Sequence, residues 1–303
     1  MKPIIKQSSK KAAFTIVELL TVMSIIVILI GLLVPSLNMA KRYAKKVKQK
    51  AQFHSLDAAI ELFNNEFDGY PDSREVDPTG QPYCGAMKLC EAMMGQDLMG
   101  FHPDSAFRSD GMDGFGRDLY PPNPNQDNLR ARKGTYLPLE SANACNLEGL
   151  YVNTRGFDPL NYVLCDVYDR ATHRITGKKV GMPILYYKAD TSRDWHRPDA
   201  PDDPGNIYNY RHNHELVSLG MPWDPPPTGP MPKLFADPDA NPPEPEGKRF
   251  YWNTMNDEIY MASKASRPYR ADSYILISAG FDGEYGTSDD ICNFEWKYRE
   301  TLP

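Results

Sequence analysis

Apolar residues are concentrated near the amino-terminal end. The run Phe14–Val34 is 21 residues long, and Glu18 is its only charged position. At about 1.5 Å rise per residue, a helix of that length spans about 30 Å, the thickness of a bilayer's hydrocarbon core. The apolar positions then narrow to a stripe. Ala40, Ala44, Val47 and Ala51, followed by Phe53, Leu56, Ile60, Phe63 and Phe67, recur at spacings of three and four. No glycine or proline interrupts 36–68, and Asp68-Gly69-Tyr70-Pro71 supplies a stop signal. The pattern predicts one helix from about Phe14 to about Phe67, apolar all round at first and amphipathic later. Pro35 falls inside it, where a missing backbone donor predicts a kink or local loosening.

The pattern changes at Pro71. Of the 27 prolines, 24 lie between Pro71 and Arg270, and stretches such as 221–230 and 237–247 exclude long helices and central strands. Short apolar runs survive. Residues 182–187 (MPILYY) and 248–252 (KRFYW) read as strands by their branched and aromatic content, and 84–95 reads as a helix. The segment 71–270 is therefore expected to be a loop-rich insertion held by aromatics. Residues 273–280 (SYILISAG) form an apolar strand that leads at once into an acidic glycine loop, 281–294. The expected fold class is α+β: a long amino-terminal helix packed against a small antiparallel sheet, with a large insertion. The expected divisions are 1–13, 14–34, 35–70, 71–270 and 271–303.

Charge divides the chain in the same way. Residues 1–50 carry ten Lys or Arg against the single Glu18, so the remaining 253 residues hold 24 basic and 39 acidic side chains. An acidic body disfavours nucleic acid as a partner and tolerates hard cations such as calcium. Much of that acid does no more than keep a surface soluble. The basic run 41–50 is read as a solvated face or a lipid-headgroup contact. The five cysteines (Cys84, Cys90, Cys145, Cys165, Cys292) lack the paired spacing of a zinc site. In an exported body one or two disulfides fit them, with Cys84–Cys90 closing the shortest loop and at least one thiol left over.

Glu18 is the most unusual position. A carboxylate inside a membrane span costs roughly 2.5–3.5 kcal/mol and is usually functional. The plainer reading is a signal anchor that tolerates one charge near the interface. A secretory signal peptide would place small residues after its apolar core, whereas Ala12 and Ala13 precede it here. In the terminal loop, Asp282, Asp289 and Asp290 are hard oxygen donors, with Glu284 as a further one and Gly280, Gly283 and Gly286 able to present carbonyls. The spacing is not that of an EF-hand, and a simple acidic turn is the alternative. His212-Asn213-His214-Glu215 has no evident third ligand, and Gly111–Gly116 lacks the strand–helix context of a nucleotide loop. Neither G-x-S-x-G nor H-E-x-x-H occurs, and no enzymatic activity is expected.

Taken together, 13–37 (AFTIVELLTVMSIIVILIGLLVPSL) resembles the processed amino-terminal segment of type IV pilins and of the pseudopilins of type II protein secretion. The match places Ala13 before the cut, Phe14 as the new first residue, Glu18 as the fifth and Pro35 as the twenty-second; glycine is the family's usual residue where Ala13 stands. The resemblance implies a prepilin leader over 1–13, removal by a prepilin peptidase and methylation of Phe14. It also implies a transmembrane helix that becomes a fibre core, with Glu18 and Pro35 in assembly. Residues 273–294 resemble the calcium loop of the major pseudopilin, which implies Ca2+ held by Asp282, Asp289 and Asp290. Implied partners are copies of this chain, other pilin-like subunits, an inner-membrane assembly platform and the lipid bilayer. The implied location is the cytoplasmic (inner) membrane, with the leader in the cytoplasm and the body in the periplasm or outside. Two other readings stay open: a surface pilin for adhesion or uptake, and a membrane-anchored polysaccharide-binding protein or enzyme working through 71–270.

Overall fold

A long helix opens the described chain. The computed structural model describes residues 15–224 and 233–299, so Ala13, Phe14 and the segment 1–13 lie outside the described residues. Helix α1 is Ile16–Phe67, 52 residues running through Pro35 without interruption. It ends where the stop signal predicts, with Asp68 turned into the left-handed region at φ 54°. Two units divide the chain, Met1–Ala44 and Lys45–Pro303.

In the first unit every described residue is exposed in the isolated chain. The span from Ile16 is long and apolar enough to cross a membrane. Its polar side chains are satisfied within the helix itself. The Thr21 hydroxyl donates to Val17 O at 2.7 Å and that of Ser24 to Leu20 O at 2.8 Å. Hydrocarbon offers no other partner, so such internal bonds lower the cost of these groups.

The second unit is α+β. After α1 come α2 (Gly85–Met94), α3 (Gln126–Ala131) and α4 (Leu139–Ala142), then β1 (Ala144–Asn146), α5 (Leu147–Leu150) and β2 (Tyr162–Leu164). The hairpin β3 (Ala171–Thr172) and β4 (Lys179–Val180) precedes β5 (Leu185–Lys188). A 3-10 turn at Tyr210–Asn213 leads into α6 (His214–Val217), followed by α7 (Lys248–Thr254), α8 (Asp257–Ser263), β6 (Tyr274–Ser278) and β7 (Ile291–Cys292). The sheets are small and antiparallel; the largest has the order β5-β6-β7.

Register in that sheet decides the core. Leu185 pairs with Ile277 and Tyr187 with Ile275, while Tyr186 pairs with Leu276. Because successive strand residues face opposite ways, the odd-numbered set enters one apolar cluster and Tyr186, Tyr274 and Leu276 enter another. The second cluster includes Phe53, Leu56, Ala59, Ile60 and Phe63 of α1 and Leu89, Cys90, Ala92, Met93 and Met94 of α2, so the amphipathic stripe covers this sheet face together with α2. Helix α2 starts at Gly85 for a steric reason. A Cβ there would lie 2.3 Å from Tyr186 O, so only glycine lets the helix reach β5.

Polar residues of α1 add a second line of attachment that the apolar pattern does not reveal. Gln52 Nε2 donates to Ser141 O and Cys165 O at 3.0 and 2.9 Å, and Gln49 Oε1 accepts from Val167 N–H at 3.0 Å. Lys45 Nζ donates to Tyr168 O at 2.7 Å. Asp57 accepts from the Tyr274 hydroxyl at 2.7 Å and from Asn293 Nδ2 at 3.2 Å, tying the helix to β6 and to the residue after β7.

Two expectations are corrected. Residues 248–252 are helical, not a strand: they lie within α7. Phe250, Tyr251 and Trp252 are all buried, and the neighbours Phe250 and Tyr251 enter the same apolar cluster, whereas the alternation of a strand would turn them to opposite faces. Phe250 packs against Tyr187 with the rings tilted and their centroids 4.7 Å apart, while the Tyr251 hydroxyl donates to Tyr208 O and Pro201 O. All five cysteines are free and buried, so Cys84 and Cys90 are not bridged. Cys84 caps α2 and joins one core cluster, while Cys90, six residues along the same helix, joins the other.

Candidate functional site

Glu18 is engaged at the start of α1. Its carboxylate accepts from Thr15 N–H at 2.9 Å and from the Thr15 hydroxyl at 2.8 Å. Glu18 N–H donates back to Thr15 Oγ1 at 3.2 Å. This reciprocal pair is a capping box, which satisfies amide donors that any helix leaves open at its first turn. The T-x-x-E signature that specifies it stands in the sequence at Thr15–Glu18. Pro35 lies in the same exposed half of α1, beside Ser36, whose hydroxyl donates to Leu33 O at 2.9 Å.

The acidic loop leaves β6 at Ser278 and returns at β7. Gly280 is required at its entry: φ is 65°, and a Cβ would lie 2.3 Å from Asp289 O. That close approach folds Asp289 back over the loop. Asp289 Oδ2 accepts from the amides of Phe281 and Asp282 at 2.6 and 3.0 Å. Asp282 Oδ1 accepts from Glu284 N–H at 2.8 Å. Asp290 turns into the body, where its Oδ2 accepts from Gly286 N–H at 2.8 Å. Thr287 Oγ1 stands 2.8 Å from Asp289 Oδ1 and 3.4 Å from Asp290 Oδ1. One hydroxyl proton cannot serve both carboxylates at once.

Electrostatics follow from that crowding. Burial pushes the Asp282 carboxyl up to about 6, and the adjacent Asp289 carboxylate pushes the same way. Burial also drives Asp290 well above the usual carboxylate range. Asp289 lies below that range, because bonds from Thr287, Asp282 and Phe281 outweigh its burial. The nearest compensating cations come from elsewhere in the chain: Lys233 Nζ pairs with Glu284 Oε2 at 2.9 Å, and Arg170 Nε donates to Asp282 O at 3.3 Å. Among the described residues, no three His, Cys, Asp or Glu side chains form a group able to hold a metal ion. What the loop does assemble is the Asp282–Asp289 pair, with Asp290 on its inner side.

The two histidines separate. His212 Nδ1 meets the Ser73 hydroxyl at 2.7 Å, while His214 Nε2 meets Glu246 Oε1 at 2.7 Å on another side. Ser73 Oγ also accepts from Lys188 N–H at 3.0 Å. His212 lines a polar cleft of about 580 Å³ together with Arg74, Glu75, Asp190 and Asn209. Residues 111–116 form a turn in which Asp113 accepts from the amides of Phe115 and Arg117. Comparison with protein-family models, with curated proteins and with solved structures returned no match.

Beneath the loop, Asp166 is a buried carboxyl that no sequence signal marks. It accepts from the Ser278 hydroxyl at 2.8 Å and from the amides of Tyr168 and Met182. Burial outweighs these bonds and pushes its pKa up to about 7, from 3.8. The folded chain therefore keeps a proton that the unfolded chain releases above about pH 4. This contribution is full below that pH and is lost as pH rises through about 7, at no more than about 1.4 kcal/mol per pH unit. Asp166→Asn keeps the neutral shape without the titration. Denaturant titration of the Lys45–Pro303 unit should show the variant losing less stability than wild type between pH 5 and pH 8. Equal losses would show that this carboxyl does not titrate across that window.

Proposed function

We propose that this chain is a pilin-like structural subunit, stored in the cytoplasmic membrane and assembled into a pseudopilus for type II protein secretion. The observation that carries the reading is a single carboxylate, Glu18, near the start of an exposed apolar helix that continues unbroken into the body as its packing stripe. In this reading a prepilin peptidase cuts between Ala13 and Phe14, and the new amine of Phe14 is methylated. Glu18 then exchanges its bonds to Thr15 for the amine of a neighbouring copy. A subunit out of register would leave both charges unpaired in hydrocarbon, so the pair sets the stagger of the fibre. Pro35 gives the helix local freedom to bend as it packs. The chain is a structural component and not an enzyme, and its partners are other copies, the peptidase and the assembly platform.

Glu18→Ala or Glu18→Val tests the assembly role. Either replacement removes a charge that is costly in lipid, so the variant should persist in the membrane while sheared fractions lose fibres. Abundant fibres from either variant would support a plain membrane anchor.

Calcium belongs to the same proposal. The donors are hard oxygens, the Asp282 and Asp289 carboxylates crowd one another, and the glycine turns offer carbonyls; this set suits Ca2+ better than a soft metal. Asp282 and Asp289 would hold the ion, with Asp290 behind them. At a hundred times its dissociation constant, calcium adds about 2.7 kcal/mol to stability. The melting temperature should rise in calcium relative to chelator, and Asp282→Ala should remove the rise. Protons compete at Asp282, whose pKa is about 6, so the rise should be larger at pH 7.5 than at pH 5. No calcium effect at pH 7.5 would make the loop a self-contained acidic turn.

One observation favours a second reading, a membrane-anchored binding protein. The cleft beside His212 is polar, about 580 Å³ in volume, and far in sequence from both candidate sites.

A further inference from the structure

The hairpin β1–β2 brings two thiols together. Cys145 lies opposite Val163 and Ala144 opposite Leu164. One residue further on, Cys165 N–H donates to Asn143 O at 3.2 Å, so the antiparallel register continues through Cys165. Val163 and Cys165 are two residues apart on one strand and share a sheet face, which makes Cys145 and Cys165 diagonal neighbours on that face. The Cys165 thiol is the neighbour that acts most on the Cys145 sulfur, and the Cys145 S–H donates to Asn146 O at 3.4 Å. Both sit in one apolar cluster, 4% and 0% exposed. Of the remaining thiols, Cys84 and Cys292 belong to the same cluster but lie at the start of α2 and on β7 opposite Ile277, and Cys90 belongs to the other cluster.

We propose that Cys145 and Cys165 are the one thiol pair of this chain built to close into a disulfide when the body folds in an oxidising compartment. The compartment rests on the exported topology proposed above; the choice of pair does not. The Cys145 thiolate attacks one sulfur of a protein or low-molecular-weight disulfide, and that disulfide's other sulfur leaves as a thiolate. The Cys165 sulfur then attacks the Cys145 sulfur of the mixed disulfide and expels the second thiolate. One S–S bond breaks in the oxidant and one forms here; two electrons and two protons pass to the oxidant, which departs as two thiols. The burial of both sulfurs places this step during folding, before the hairpin is covered. Once formed, the bond clamps α5 and the loop 151–161 across the base of the hairpin and resists later reduction.

The test uses the full chain in two preparations: refolded in detergent with a mixture of oxidised and reduced glutathione, and extracted from membranes under acid quench. Each is alkylated in denaturant without reductant and analysed by mass spectrometry. Of the five thiols, three should label, and the protease digest should contain one linked peptide pair joining Cys145 to Cys165. In Cys145→Ser, four thiols should label and that link should disappear. Five labelled thiols in the refolded wild type, or a link through Cys84, Cys90 or Cys292, would overturn the proposal. The link in the refolded chain together with five free thiols in the membrane extract would uphold the pair and contradict the exported topology instead.

Discussion

The body of this protein is built around one shared apolar cluster, in which α1 and α2 meet β5 and β6. Phe53, Leu56, Ile60 and Phe63 share one apolar cluster with Tyr186, Tyr274 and Leu276, and Leu89 and Met93 of α2 complete it. Each fully buried side chain of this size contributes roughly 1.5–3 kcal/mol before the entropy of ordering it is subtracted. Asp57, Gln49 and Gln52 add hydrogen bonds at the edges of the same stripe. The segment of helix that follows the apolar span is therefore not a spacer. It is part of the fold, and the apolar half leads into it without a break.

That continuity gives Glu18 its meaning. A carboxylate near the start of an apolar helix costs free energy wherever the helix sits in lipid. The capping box with Thr15 offsets part of this cost in a lone chain by giving the carboxylate two donors. A neighbouring amine would offer more, because opposite charges attract strongly in low dielectric. In the proposed assembly, storage and polymerisation differ in one local exchange at the first turn of this helix.

The long helix was legible because its signals agree: length of the apolar run, spacing of the stripe, and a stop at Asp68–Pro71. Helix α2 and strand β6 were legible for the same reason. Residues 248–252 were not, since aromatic content favours a strand locally, while the neighbours Phe250 and Tyr251 enter one cluster that the alternation of a strand would split. Gln49 and Gln52 read as surface residues, and nothing local shows that they meet backbone more than eighty residues away. Asp282 and Asp289 could be named from composition, and the structure does bring them together. Asp290 could not be told apart from them in sequence, although its side chain turns inward to Gly286. The Thr15–Glu18 capping box stood in the sequence as T-x-x-E. The Cys145–Cys165 contact depends on strand register and had no sequence signal at all.

The central claim is that the helix is kept when the leader is removed. Intact-mass measurement and amino-terminal sequencing of the protein extracted from membranes test this most directly. The account predicts a mature chain that begins at Phe14 and carries one added methyl group on its amine. A mature chain that begins beyond Val34 would contradict it, because the apolar helix would then have been discarded as a signal peptide.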